Sequence, residues 1–160
     1  MYAGVLACLI LSVFVYQDFK YRHINGWFLI PLTIILLING IQTTQDKNFL
    51  FSNMVLNLIF LVIQFFLLGF YFFVKERNIN IVNNKLGIGD ILLFLILCIS
   101  FSFKNYIIFY IITLIFSLVI SMIMIKRNKD YTIPLAGYTS LMWIFWWIYS
   151  TISKNSLFFM

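Results

Sequence analysis

The chain alternates long apolar runs with short polar breaks. Six stretches, Tyr2 to Tyr16, Trp27 to Ile41, Phe49 to Val74, Asp90 to Phe103, Tyr106 to Ile125 and Ile133 to Ile152, carry no charged residue except Asp90 itself. A helix needs about 20 mostly apolar residues to cross a bilayer. The pattern therefore predicts an all-α integral membrane protein with about six transmembrane helices, in a single domain over 1–160. The first run is short for a span and is expected to extend by a turn. Trp27 reads as an interfacial anchor, and Pro31 falls in the first turns of its helix, where a missing N–H costs little. Asn53, Asn57 and Gln64 share one face of the third helix. They read as interhelical hydrogen-bonding groups, with a substrate-lining face as the alternative.

Composition strengthens this picture. The chain is 63% hydrophobic and 10% charged, against roughly 25% charged in a soluble domain. So many apolar side chains exceed what one small water-soluble core can hide. The net charge of +6 does not point to nucleic acid, because the basic residues sit in short clusters between apolar runs. One side of the expected topology holds eight of them (Lys20, Arg22, Lys75, Arg77, Lys85, Lys126, Arg127, Lys129) and the other holds three (Lys47, Lys104, Lys154). The bias places the three basic loops in the cytoplasm and both termini outside. No basic residue precedes the first apolar run, so the basic n-region of a cleaved signal peptide is missing. Cys8 and Cys98, each inside an apolar run, read as small buried hydrophobes.

Against this background two acids stand out. Asp90 closes Lys85-Leu86-Gly87-Ile88-Gly89-Asp90 and opens an uncharged run. Asp18 ends the first span on the same side. Ionisable groups at such positions are costly and mark functional sites by default. Two neighbouring carboxylates do not ionise together easily. One then takes a proton from a water as it attacks an amide, while the other donates to the carbonyl oxygen, as in aspartic proteases. Asp18 and Asp90 can meet if the first and fourth helices pack side by side. Rival chemistries lack parts: His23 is the one histidine, so no His-x-x-x-His zinc site forms. No Gly-x-Ser-x-Gly elbow occurs, and Ser100, Ser102 and Ser121 lack a nearby base. Asp46, Glu76 and Asp130 read as solvated loop charges. The alternative for the pair is structural, since Asp is a good helix N-cap. A non-catalytic membrane subunit and a proton-relay transporter both remain open from the residues alone.

Three segments resemble the type IV prepilin peptidases, Gly-x-Gly-Asp membrane aspartyl proteases. They are Asp18 followed by a basic stretch and Ile24-Asn25, the Lys85–Asp90 signature, and Ile133-Pro134-Leu135-Ala136-Gly137 opening the last helix. The resemblance implies Asp18 and Asp90 as the catalytic pair, with Lys85, Gly87, Gly89, Ile133 and Pro134 as active-site support. It also implies a precursor substrate with a short basic leader and an apolar helix, cut at the cytoplasmic face of a bacterial inner membrane, in type IV pilus assembly or protein secretion. No metal or cofactor is implied. Larger members carry a cytoplasmic insert with paired Cys-x-x-Cys zinc motifs, linked to methylating the new N-terminus. Such motifs do not occur here, so methyltransferase activity is not expected. The chain departs from the family pattern in lacking a Pro between Ile24 and Asn25, and in having Ile91-Leu92 where many members place a Lys.

Overall fold

The computed structural model describes residues 2–44, 46–76, 87–125 and 133–153. Among them are six α-helices and no strand: α1 (Tyr2–Tyr21), α2 (Leu29–Thr43), α3 (Lys47–Glu76), α4 (Ile88–Leu97), α5 (Phe103–Ile125) and α6 (Leu135–Ser153). Four segments are long and apolar enough to cross a membrane: Tyr2–Tyr21, Gly26–Thr43, Lys47–Lys75 and Phe103–Met124. Their outer faces carry large exposed apolar side chains such as Phe66, Val74 and Ile123, a surface suited to lipid rather than water. Among the described residues, the remaining two of the six expected spans are not long and apolar enough to cross. The 10 residues of α4 reach only about 15 Å. The first half of α6 is diluted by Gly137, Tyr138, Thr139 and Ser140, all buried.

The helix α1 buries Gly4, Ala7, Leu11, Phe14 and Asp18. Steps of three and four put these on one stripe, and α1 lays that stripe mainly along α6. Two close approaches fix an antiparallel register. A Cβ on Gly4 would fall inside the Trp147 indole, and one on Gly137 would meet Phe19 and Asp18. Asp18 is the last member of an otherwise apolar seam. Past it, Arg22 adopts φ 59° and donates its N–H to the Asp18 carbonyl at 3.1 Å, a left-handed residue ending the helix.

Between α1 and α2, the Asn25 side chain accepts from Trp27 N–H at 3.2 Å, and the Asn25 backbone N–H donates to Gln17 Oε1 at 3.1 Å. This caps a 3-10 turn, Gly26–Phe28, that runs directly into α2. Pro31 falls in the first turn of α2 as expected.

The fourth helix ends at Leu97, not Phe103, and α5 already begins at Phe103, so Lys104 and Asn105 lie in its first turn rather than in a connecting turn. The reason lies in α3. Asn57 Nδ2 donates to the carbonyls of Cys98 (2.9 Å) and Phe101 (2.8 Å). Asn53 Oδ1 accepts from Phe103 N–H at 2.8 Å, and Tyr106 Oη donates to the Phe94 carbonyl at 3.1 Å. Backbone groups freed from a helix inside an apolar bundle need partners from within the protein. The polar face of α3 supplies them through Asn53 and Asn57; Gln64 is half-buried farther along.

Candidate active site

Asp18 reaches its position by helical spacing alone. It follows Phe14 by four residues on the buried stripe and is 6% exposed. Arg22, one turn on, acts on it electrostatically.

Asp90 is placed by a different device. Gly87 is the N-cap of α4, with φ −65° and ψ 130°, and its carbonyl accepts from the N–H of Asp90 at 3.0 Å. Asp90 thus occupies the third helical position, and its carboxylate folds back to the Gly87 amide. This is the reciprocal half of a capping box, where an acid at that position satisfies the cap residue's N–H. The approach is tight, because a Cβ on Gly87 would lie 2.9 Å from Asp90 Oδ2. Gly89 has a neighbour too: Ile24, from the α1–α2 turn, would lie 3.5 Å from a Cβ there. Asp90 is half-buried and Gly87 exposed, so this edge of the site opens outward.

The two acids converge on α6. Gly137 N–H donates to Asp18 Oδ2 at 2.5 Å, and the preceding amide, that of Ala136, lies against the Asp90 carboxylate. The Pro134 carbonyl accepts from Tyr138 N–H at 3.1 Å, which makes Ala136 and Gly137 the second and third residues of the helix. Their N–H groups have no partner within it, and the helix dipole favours negative charge at that end. The carboxylates are near enough for Asp18 to act on Asp90 through its charge. The main packing that brings them together runs through shared neighbours: α1 packs mainly on α2 and α6, and α4 mainly on α2, α3 and α6.

Tyr138 stands edge-on to Phe19 (5.2 Å between ring centroids) and to Phe116 of α5 (5.9 Å). Phe116 therefore marks the level of the site on α5. That helix continues to Ile125, about 13 Å farther at 1.5 Å per residue, through Leu118, Val119, Met122 and Ile123, all exposed. The acids are recessed below the end of α5.

Of the supporting residues expected from sequence, Gly87 and Gly89 flank Asp90. Pro134 is buried and lends its carbonyl to the first turn of α6, while Ile133 is exposed. Lys85 lies outside the described residues. His23 is exposed, with Nδ1 3.1 Å from the Tyr21 carbonyl. Sequence reasoning missed the Ala136 and Gly137 amides and the Phe19 ring. The signal for Gly137 was its place in the Ile133–Gly137 segment, but a backbone donor leaves no side-chain signature. Among the described residues no three His, Cys, Asp or Glu side chains gather in a metal-binding group.

The model of the type IV leader peptidase family matches residues 5–122, and the chain belongs to that family. The matched region includes Asp18, Gly87, Gly89 and Asp90 and stops short of α6. No curated protein and no solved structure matches the chain.

Proposed function

We propose that this member of the type IV leader peptidase family is a membrane aspartic endopeptidase with Asp18 and Asp90 as its catalytic pair. The observation that carries the reading is the convergence of the two carboxylates, from distant helices, on consecutive amides of α6. One acid, charged, takes a proton from a water between them as that water attacks the scissile carbonyl. The other, protonated, donates to the carbonyl oxygen as it becomes tetrahedral. Such a pair titrates as a unit. Gly87, beside Asp90, is exposed, and in this reading a substrate backbone approaches the pair at that edge.

The substrate in this reading is a prepilin-like precursor, with a short basic leader followed by an apolar helix. The helix stays in the bilayer and presents the cleavage site to the recessed acids. All six helices lie in the membrane, with both termini outside and the basic loops in the cytoplasm of a bacterial cell. In that arrangement α4 crosses only part of the bilayer and the break at 98–102 completes the path.

One observation favours a second reading, a non-catalytic membrane subunit: the Asp90 carboxylate caps its own helix through Gly87. Co-expression with a pilin-like precursor from the same source separates the two. The wild type is expected to convert the precursor to a faster-migrating form on a gel, and Asp18→Asn and Asp90→Asn each to leave it uncut. Normal processing by either variant rules out the paired mechanism. A wild type that cuts no such precursor supports the subunit reading.

A further inference from the structure

Nothing in the family match extends to α6, yet its first turn is where both acids are held. The Gly137 N–H is directed at Asp18 Oδ2, and the site leaves no room for a side chain at 137. A Cβ there would lie 2.9 Å from both Cδ2 and Cε2 of Phe19 and 3.1 Å from Asp18 Oδ2. On one side the ring meets Tyr138, itself backed by Phe116, while the rest of the Phe19 side chain is partly exposed. A side chain at 137 would therefore displace the ring, the helix or the carboxylate, and the carboxylate is the group whose place matters for the site. Among the described residues, the charged groups that act on the pair from outside it reduce to Arg22, just past the end of α1, with Asp90 on α4 facing Asp18. The packed helices α2 and α6 carry no Asp, Glu, Lys, Arg or His.

We propose that Gly137 is the positioning residue of the acid pair: its amide holds Asp18 while the adjoining Ala136 amide faces Asp90, so one turn of α6 sets the separation of the two carboxylates. Rigid spacing of this kind matters, because a 1 Å displacement of reacting groups can cost about a hundredfold in rate. The inference rests on the proposed peptidase reading for its kinetic consequence, but the contact itself is measurable without any activity.

The full chain in lipid nanodiscs, labelled with 15N-glycine and 1-13C-alanine, gives that measurement. Of its seven glycines, only Gly4 and Gly137 follow alanine, so the double label isolates their amides. One of the two is expected downfield and to move upfield in Asp18→Asn. If neither amide responds, the proposal is overturned. The kinetic arm compares Gly137→Ala, Phe19→Ala and the double variant on a precursor with a basic leader and apolar helix. Gly137→Ala is expected to lower kcat by about ten- to a hundredfold with KM nearly unchanged, and to stay slow when Phe19→Ala removes the ring. Full recovery in the double variant would reduce Gly137 to a packing residue and overturn the proposal. Cleavage that survives Asp18→Asn and Asp90→Asn would instead defeat the peptidase reading, leaving the amide response to decide this one.

Discussion

The two ends of the bundle solve one problem in opposite ways. At the α4–α5 break, side-chain amides of Asn53 and Asn57 serve backbone groups. At the acid end, backbone amides of Gly87, Ala136 and Gly137 serve side-chain carboxylates. In the first arrangement the asparagines are buried and their amides are committed to the Cys98 and Phe101 carbonyls and the Phe103 N–H. In the second, each carboxylate keeps acceptor sites beyond those its amides use, and one edge opens outward. Polar groups within an apolar bundle are thus by themselves no sign of chemistry. The sign is a polar group held in place with its reactive side left available.

The comparison predicts that the ends fail differently. Asp18→Asn and Asp90→Asn should abolish cleavage, by at least about a thousandfold, as expected when a positioned acid or base is removed. Each should leave the purified protein about as heat-stable as the wild type, because Asn still accepts from the same amide. Asn57→Leu should do the reverse. It removes the Asn57 donor from the Cys98 and Phe101 carbonyls, and a buried group left unsatisfied costs about 1–3 kcal/mol. The expected result is a sharp drop in folded yield and melting temperature in detergent, with the specific activity of the surviving folded fraction close to wild type. A thermostable Asn57→Leu protein that has lost cleavage would erase the distinction between the ends.

How much of this was visible beforehand follows from where the information lies. The acids were legible because charged residues in an apolar chain stand out, and so was their shared side, from the basic clusters. The stripe of Gly4, Ala7, Leu11, Phe14 and Asp18 was also present, but between Gly4 and Phe14 only Ser12 is polar, so no polar face outlined it. The end of α4 at Leu97 was not legible. Cys98-Ile99-Ser100-Phe101-Ser102 contains no Gly or Pro, and the break depends on two asparagines far away in the chain. The role of α6 was hidden for a related reason: any residue but proline carries an N–H, and only the fold shows where it points.

An intermediate effect is expected at Gly87. Alanine there would bring a Cβ to 2.9 Å from Asp90 Oδ2, and the carboxylate must rotate away from it. Because the backbone at Gly87 has ordinary negative φ, alanine fits the main chain and stability should change little. Cleavage should fall by about ten- to a hundredfold, the scale of a small misplacement of a reacting group. Turnover of the same precursor by Gly87→Ala and wild type measures it. An unchanged rate would mean that the Asp90 position seen here is not the one that acts.

The smallest effect belongs to Tyr106→Phe, at the structural end. Its hydroxyl donates to the Phe94 carbonyl at 3.1 Å, while its ring, fully buried, packs near Phe60 and Phe101. Phenylalanine keeps the ring and drops one neutral hydrogen bond, for a cost of about 0.5–1.5 kcal/mol. The Phe94 carbonyl does not lose every partner, because Cys98 N–H also donates to it at 3.2 Å. A loss of stability well under that of Asn57→Leu is therefore expected, with cleavage intact. If Tyr106→Phe instead slowed cleavage as much as Gly87→Ala, the 98–102 break would be coupled to the acids through α4, and the two ends could no longer be treated as independent.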